Sequence, residues 1–466
     1  MQNFWDTSVW GMVDLAAVLM VSLLVANILK KTLGFLRRSL IPTSVLGGLI
    51  LLIVGFIYRL ITGNVMLDTA FFGGRGLDMA ETLTYHCLAL GFIATVFKSG
   101  REKRSKERTR EIFNTGVTTV STYLLQGTLG MGITILWAMI STKIFPASGI
   151  LLPFGYGQGT GQALNYGSIY EADYGFVGGK SFGLTVAAMG FLSAAIGGVI
   201  HLNAMKRKGR VVQSGEEMAE HYNSDDIQKA TEIPMNGSID KLTVQLSFVF
   251  GTYMVTYLVI MLLGNLIPSF KSVLYGFNFL FGVIFGTLFN AIIGKLTTRK
   301  TLIKREYVNE FLMKRISGFF FDLMIVAGFA AIRIEVIEQY WAVLLVIGVV
   351  GAVSTFLYNK FVANALFKNY SEEQFMAMYG MLTGTASTGI VLLREIDREF
   401  KTPVAENLVY QNFPAIVFGF PMMLLAALAP KQPVLTWIIV TGFFIFMNVV
   451  LFRSIIFKKN SKSANK

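Results

Sequence analysis

The sequence predicts an all-α polytopic membrane protein with about eleven transmembrane helices. Of its 466 residues, 53% are hydrophobic and only 15% are charged, whereas soluble proteins carry roughly a quarter charged residues. Charge-poor runs of about 20 residues, the length that crosses the hydrocarbon core of a bilayer, recur along the whole chain. The length alone would suit two or three soluble domains, but the recurring apolar runs favour a helix bundle in lipid.

The apolar runs define five spans before residue 206 and six after residue 241. The third span is short and begins with the polar residues Thr84, Tyr85 and His86, so its N-terminal end is less sharply defined. The predicted spans are residues 9–29, 40–61, 82–97, 112–140, 181–204, 242–266, 272–294, 316–334, 340–359, 404–428 and 434–457.

Lysine and arginine set the orientation of these spans. Most of the 41 basic residues lie in alternate connections, and the positive-inside rule places that side in the cytoplasm. The N-terminus is then outside and the C-terminus inside, and the net charge of +13 reflects topology and not a nucleic-acid-binding face. The basic connections are 30–38, 98–110, 206–210, 295–315 and the tail at 458–459, whereas the opposite connections hold single residues, namely Arg75, Lys143, Lys180, Lys271, Arg333 and Lys431.

Residues 206–241 form the one sizeable soluble segment of the sequence. Acidic residues accompany its lysines, and it contains almost no core-forming side chains, which favours a solvated cytoplasmic linker over a regulatory domain. The single cysteine, Cys87, lies inside an apolar run, which excludes a disulfide framework.

Two uncharged runs do not fit as spans, because each is too rich in glycine, threonine and serine to face lipid. They read LLPFGYGQGTGQALNYGSIY over residues 151–170 and QFMAMYGMLTGTASTGIVLL over residues 374–393. A full crossing by either run would put the flanking basic residues on the wrong side of the membrane. We therefore predict re-entrant hairpins at 150–170 and 374–393. Irregular backbone at this depth is tolerated only where protein or a water-filled cavity satisfies its polar groups.

The two runs also resemble each other. Gly159–Thr160 and Gly384–Thr385 are each followed by a Glu-x-Asp-x-x-Phe motif, at 171–176 and 395–400. Because each half has five spans, the second half begins on the opposite side of the membrane. Inverted repeats with paired broken segments are typical of alternating-access transporters. The predicted divisions are a first repeat over 1–205, the linker over 206–241, a second inverted repeat over 242–430, and an additional helix with a basic tail over 431–466.

The hairpins carry residue types that suit a small anion and a hard cation. Glycines let the backbone approach a ligand, and freed N–H groups and side-chain amides donate to a carboxylate. Hydroxyls and freed carbonyls suit Na⁺. The alternative for glycine-threonine runs is tight helix packing. The candidates are Gly155, Gly157, Gln158, Gly159, Thr160, Gly161, Gln162 and Asn165 in the first hairpin and Thr383, Gly384, Thr385, Ser387, Thr388 and Gly389 in the second.

Several polar residues outside the hairpins are further candidates. Asp322 lies in the middle of the eighth span, and an intramembrane carboxylate is costly enough to indicate function. It would pair a substrate ammonium or join Thr160, Thr385 and Ser387 as a Na⁺ ligand; the alternative is a structural ion pair or a place nearer the boundary. Arg394 would receive a substrate carboxylate or act as a positive-inside anchor. Asn407, Gln411 and Asn412 would line the same cavity or bond helix to helix.

No enzyme constellation is present in the sequence. His86, His201 and His221 show no metal-ligand spacing, and neither a P-loop nor a GxSxG motif occurs. We therefore expect neither an ATP-driven pump nor a membrane hydrolase, and no cofactor other than a coupling ion.

At its two glycine-rich runs the chain resembles the bacterial sodium/glutamate symporter family. The likeness is strongest in TGTASTGIVLLREIDREFKTPVAENL over 383–408 and GYGQGTGQALNYGSIYE over 155–171, and it extends over nearly the whole chain. The chain departs from the family in three features. Gln158 stands where the family has histidine, and the eleventh helix and the linker are not general features of the family. The resemblance implies Na⁺-coupled uptake of L-glutamate across the bacterial inner membrane, with both loops at the translocation site, and a homodimer.

The leading hypothesis is therefore a Na⁺-coupled symporter of L-glutamate or a similar anionic amino acid. The alternative within transport is a Na⁺- or H⁺-coupled carrier of di- or hydroxycarboxylates, which a related family with the same fold carries. An ion channel is disfavoured, because channels show pore symmetry between subunits and not an inverted repeat within one chain.

Overall fold

Helices make up most of the chain that the structure describes. The computed structural model describes residues 3–97, 106–208, 232–235, 239–268, 271–299, 305–397 and 401–456. Within these ranges nine helices are long and apolar enough to cross a membrane, and a bent pair brings the number to ten when it counts as one span. The chain is therefore a multi-pass membrane protein.

The described α-helices are numbered in chain order. Short 3-10 turns at Met66–Asp68, Ala70–Phe72 and Pro146–Ile150 connect some of them. The helices are Thr7–Thr32 (α1), Gly34–Arg38 (α2), Thr43–Thr62 (α3), Gly76–Val96 (α4), Lys106–Ile140 (α5), Leu151–Gln158 (α6), Thr160–Tyr174 (α7), Gly179–Arg207 (α8), Lys241–Leu266 (α9), Lys271–Gly276 (α10), Asn278–Arg299 (α11), Glu310–Ala330 (α12), Ile334–Leu366 (α13), Ser371–Leu382 (α14), Ala386–Arg394 (α15), Val404–Tyr410 (α16), Asn412–Leu428 (α17) and Pro433–Ile456 (α18).

Local sequence signals define the ends of α1. The Asp6 carboxylate accepts a hydrogen bond from the Ser8 backbone N–H at 3.0 Å and so caps the first turn. Lys30 and Lys31 lie in the last turn, where the helix dipole favours positive charge. The Lys30 ammonium also donates to the Ile41 carbonyl at 2.8 Å, which ties α1 to the segment before α3.

The helices follow the predicted spans, but α4, α5 and α13 run six or seven residues beyond one or both ends of theirs, and three spans differ further. The seventh predicted span begins at Asn278, after the separate short helix α10. The tenth is broken into α16 and α17, which are bent by 49°. The eighth, predicted at 316–334, is the helix α12, but it is not among the nine apolar helices, because its 21 residues include Lys314, Arg315 and Asp322. An eleventh crossing therefore stays a prediction.

Proline accounts for the break between α16 and α17. Pro414 is the third residue of α17, and a proline lacks the N–H that would continue the ladder from the preceding helix. It is tolerated in a first helical turn, where that N–H has no helical partner in any case. The predicted span 404–428 therefore starts a new helix at Asn412.

Many polar residues are buried, and many large apolar residues face outward. Leu60, Met139 and Ile140 are 70%, 75% and 89% exposed, as expected for helices whose outer faces meet lipid. Helices associate in lipid through small residues and interhelical hydrogen bonds. The interior of α5 fits this rule, since its buried side chains include Asn114, Thr115, Thr118, Thr119, Ser121, Thr122, Gln126 and Thr134.

The chain packs as two compact units. The first comprises Met1–Ala80, Arg104–Val212 and Gly328–Lys466, and the second comprises Glu81–Lys103 and Gln213–Ala327. The first unit holds both glycine-rich runs, together with α5, α8 and α13; the second holds α9 to α11 and most of α4 and α12. These units are groups of residues in contact, whereas the predicted repeats rest on the order of the spans and the likeness of the two runs. The inverted repeat therefore stays a prediction.

The end of the predicted linker is packed and not solvated. Residues 209–231 and 236–238 of this segment lie outside the described residues. The Ile233 N–H donates to the Glu306 carbonyl at 3.0 Å. The Lys241 ammonium lies 2.7 Å from the Glu232 carboxylate, and both side chains are buried. The last residues of the linker therefore dock against α9 and the segment before α12.

Candidate functional site

The first glycine-rich run is two helices separated by one residue. Helix α6 ends at Gln158 and α7 begins at Thr160, and Gly159 between them has φ +82° and ψ −171°. This conformation is essentially confined to glycine, because any β-carbon would clash with the backbone. The rings of Phe154 and Tyr166, one on each helix, stack with centroids 4.1 Å apart. The sequence therefore breaks the helix at Gly159 and packs its two arms together.

Glycine also lets other helices approach the first break. A β-carbon at Gly157 would lie 2.1 Å from the Tyr123 ring of α5, and one at Gly155 would lie 2.8 Å from the Ala187 nitrogen of α8. The Tyr123 hydroxyl donates to the Gly157 carbonyl at 3.0 Å. The alternating glycines of α6 thus serve tight packing, which is the alternative role that the sequence left open.

Polar side chains gather at the start of α7. Thr160 is fully buried and contacts the Gly328 backbone position, where a β-carbon would lie 2.7 Å from the Thr160 Cβ. The Asn165 amide donates to Gln162 Oε1 at 3.3 Å. Gln162 is 1% exposed, and its Nε2 has no hydrogen-bond partner among the described residues. Gly161 is buried beside them and Gln158 is half-buried.

The second glycine-rich run is broken over Thr383–Thr385, between α14 and α15. The Thr383 hydroxyl donates to the Tyr379 carbonyl at 2.6 Å, and the Thr385 and Thr388 hydroxyls lie 3.4 Å apart. A β-carbon at Gly389 would lie 2.5 Å from the Ala377 carbonyl oxygen, so α15 packs closely on α14. Gly384 is buried at the break. Ser387 belongs to α15, and its side chain lies outside the described part of the chain.

Residues from both glycine-rich runs meet on one helix, α8. A β-carbon at Gly190 would lie 2.6 Å from the Thr383 carbonyl oxygen and 3.1 Å from the Tyr156 ring, so residues from both runs touch the same glycine. The Tyr156 hydroxyl lies 3.1 Å from the Ser193 hydroxyl, and the Tyr379 hydroxyl donates to the Ser193 carbonyl at 2.9 Å. The structure therefore brings the two predicted runs together at Gly190 and Ser193.

A stripe of buried polar residues on α5 faces the second break and was missed in the sequence. Gln374 donates to the Thr115 hydroxyl at 3.3 Å, and Gln126 donates to the Leu382 carbonyl at 2.9 Å. The stripe recurs at helical spacing within TGVTTVSTYLLQGT, residues 115–128. That periodic polar pattern inside an apolar span was the signal that could have revealed it.

The remaining predicted residues have different surroundings. Asn407 is fully buried, and neither polar atom of its side chain has a hydrogen-bond partner in the described ranges. Gln411 Oε1 accepts from the Thr119 hydroxyl at 2.9 Å, and its Nε2 donates to Asn412 Oδ1 at 3.0 Å. Gln411 thus bonds one helix to another, which is the alternative to lining a cavity. Asn412 is exposed.

Neither predicted charged residue is buried. Arg394 is exposed in the last turn of α15, where the helix dipole favours a cation. Asp322 is exposed midway along α12 and belongs to the second unit, whereas Thr160 and Thr385 belong to the first. The predicted grouping of Asp322, Thr160 and Thr385 with Ser387 around one Na⁺ stays a prediction.

The repeated Glu-x-Asp-x-x-Phe motif closes the loops that follow the breaks. The Glu171 carboxylate accepts from the Lys180 N–H at 3.1 Å, and the Asp397 carboxylate accepts from the Lys401 and Thr402 N–H groups, both at 2.9 Å. Phe176 is buried, and Phe400 lies outside the described residues. Glu171 and Asp397, which occupy different positions of the motif, therefore each have a structural role.

Comparison with protein-family models and curated proteins gave no match. The resemblance to sodium/glutamate symporters stays a prediction that rests on the two glycine-rich runs.

Proposed function

We propose that this protein is a secondary transporter that couples Na⁺ to the uptake of L-glutamate or a similar anionic amino acid by alternating access. The observation that carries the proposal is that two broken helical runs both pack against Gly190 and Ser193 of α8. Transporters place discontinuous helices at the interface of two halves, where freed backbone groups and helix ends bind solute and ion. A plain helix bundle has no need of two such broken runs packed on one helix.

Buried amide atoms without a partner among the described residues include both chemical types. At the first break Gln162 presents a donor, Nε2, whereas Gln126 and Asn359, on the two helices beside the second break, present acceptor oxygens. A donor suits a carboxylate, and neutral oxygens suit an ammonium or a hard cation. An acidic amino acid carried with Na⁺ supplies both kinds of group.

The resemblance of residues 155–171 and 383–408 to sodium/glutamate symporters supports the same assignment. With it we place the protein in a bacterial inner membrane, with the N-terminus outside, two inverted repeats with re-entrant hairpins, and a homodimeric assembly. The basic connections of the sequence support the orientation.

Uptake into proteoliposomes tests the proposed function. Labelled L-glutamate should accumulate under an inward Na⁺ gradient and not under an equal K⁺ gradient. Gln162→Leu should reduce this uptake strongly, because it removes the donor, while Gln432→Leu, at an exposed position, should leave it unchanged.

Three results would contradict the proposal in different ways. Glutamate flux that follows only its own gradient and needs no Na⁺ gradient would indicate a channel. Uptake that malate or citrate inhibits and L-aspartate does not would indicate the hydroxycarboxylate carrier. Accumulation driven by a proton gradient alone would exclude Na⁺ coupling.

A further inference from the structure

Two buried amide side chains present unpaired oxygens between α5 and α13. Gln126 is fully buried and Asn359 is 2% exposed. Neither Gln126 Oε1 nor Asn359 Oδ1 has a hydrogen-bond partner among the described residues. Because buried acceptors are rarely left unpaired in native proteins, we expect these two oxygens to contact a water, an ion or a ligand.

The hydrogen bonds of each amide determine which atom is free. Gln126 Nε2 donates to the Leu382 carbonyl at 2.9 Å and to the Thr355 hydroxyl at 2.8 Å. Asn359 Nδ2 donates to the Thr355 carbonyl at 2.9 Å. A backbone carbonyl accepts and cannot donate, so in both side chains the nitrogen must face it. The free atom is therefore an oxygen in both residues.

The two amides belong to one patch, because both bond to Thr355. Asn359 Nδ2 also lies 3.4 Å from the Thr122 hydroxyl. Thr122 and Gln126 are four residues apart on α5, and Thr355 and Asn359 are four residues apart on α13, so each pair shares one face of its helix. Thr122 and Thr355 are themselves fully buried. The patch therefore contains two amide oxygens and two hydroxyl oxygens, all sheltered from solvent.

The second break touches this patch. Leu382, whose carbonyl accepts from Gln126, is the last residue of α14. The C-terminal end of a helix carries partial negative charge and favours a cation. An arrangement of neutral oxygens beside a helix C-terminus suits a single positive charge, since no carboxylate is needed to offset it.

We propose that this patch binds the coupling Na⁺, with Gln126 Oε1 and Asn359 Oδ1 as ligands and the Thr122 and Thr355 hydroxyls beside them. The inference rests on the proposed function, because a coupling ion presupposes symport. It assigns the ion to residues of α5 and α13 that the glycine-rich motifs do not contain. Binding there would connect the ion to the second break through the Gln126–Leu382 hydrogen bond.

Thermal unfolding of the purified full-length protein tests the patch without any substrate. NaCl should raise the melting temperature of the wild type more than KCl or choline chloride at equal ionic strength. Asn359→Leu and Gln126→Met should abolish this Na⁺-specific shift. Asn448→Leu is the matched control and should keep it, because both polar atoms of that amide are paired, with the Tyr358 hydroxyl and the Phe444 carbonyl.

A Na⁺-specific shift that persists in both variants would overturn the proposal. A wild type that Na⁺ and K⁺ stabilise equally would do the same, because a patch filled only with water does not distinguish the ions.

Uptake measurements supply a second variant pair that tests the patch if the larger substitutions prevent folding. Thr355→Val should raise the Na⁺ concentration for half-maximal uptake about tenfold, because it removes the hydroxyl that accepts from Gln126 Nε2 and so orients Gln126 Oε1, and Thr355→Ser should restore it. Unchanged Na⁺ activation in Thr355→Val would overturn the site while leaving symport intact. A Na⁺-specific thermal shift without uptake of any acidic amino acid would support the site and overturn the proposed substrate.

Discussion

Glu232 and Lys241 show how much a single buried charge can matter in this protein. Their side chains are 3% and 0% exposed and their charged atoms are 2.7 Å apart. The Asn309 amide donates to the same carboxylate oxygen at 2.6 Å, and Gln245 supports the segment by bonding to the Tyr307 carbonyl at 2.8 Å. Removing one partner of such a pair leaves the other charge buried without compensation.

We predict that Glu232→Ala destabilises the protein by about 3–5 kcal/mol, because Lys241 is left buried and unpaired. Its melting temperature in detergent should fall well below that of the wild type. Glu310→Ala, which breaks the exposed pair with Lys314, should cause little change. The double variant Glu232→Leu with Lys241→Met should recover most of the loss, since it removes both charges. A Glu232→Ala effect no larger than that of Glu310→Ala would show that the linker end is not anchored by this pair.

The Thr385 hydroxyl gives a second prediction at the scale of one residue. It lies half-buried at the second break, 3.4 Å from the Thr388 hydroxyl. With the ion in the α5–α13 patch, Thr385→Val should leave the Na⁺ concentration for half-maximal uptake unchanged, whereas an ion at the break, which the sequence predicts, would make that concentration about tenfold higher in this variant. Thr32→Val, which removes an exposed hydroxyl bonded within its own helix, is the control. Unchanged Na⁺ activation in Thr385→Val would argue against an ion site at this break.

At the scale of elements, the sequence predicts helices better than their interruptions. Charge-poor runs locate each span, because hydrophobic length is a property of consecutive residues, but the helices α4, α5 and α13 continue up to seven residues past them. The break near Pro414 was not predicted. A proline in an apolar run fits either a kink within one helix or the first turn of a new helix, and the sequence does not distinguish the two. The patch of Gln126 and Thr355 was also missed, because these residues are 229 positions apart and only the fold pairs them.

The break at Gly159 is an element whose conformation demands glycine. We predict that Gly159→Ala costs about 1–3 kcal/mol, because φ +82° with ψ −171° strains any residue with a β-carbon. The melting temperature and the initial rate of glutamate uptake should both fall. Gly175→Asn is the matched control: φ there is +70° with ψ 23°, a left-handed conformation that asparagine adopts readily. Equal tolerance of the two substitutions would show that the break is not rigid.

The whole molecule was predicted in outline but not in its packing. Its class as a multi-pass helical membrane protein is confirmed by the nine apolar helices of the described residues. Its division into two compact units was not predicted, since each unit combines chain from before and after residues 206–241. Sequence order shows where helices begin, whereas compact units depend on contacts between faces of distant helices. Orientation stays a prediction, and it rests on charge alone.

The orientation of the whole chain can be measured by cysteine labelling. The native Cys87 is 2% exposed, so Cys87→Ala gives a background without an accessible thiol. We predict that a membrane-impermeant maleimide labels Lys143→Cys and Lys431→Cys in intact cells. Both positions are exposed and lie in the sparsely charged connections, which the positive-inside rule places outside. Arg38→Cys and Lys208→Cys, exposed at the ends of basic connections, should react only after permeabilisation. Labelling of the second pair in intact cells would invert the topology, and labelling of one member of each pair would mean that the number of crossings between them is wrong.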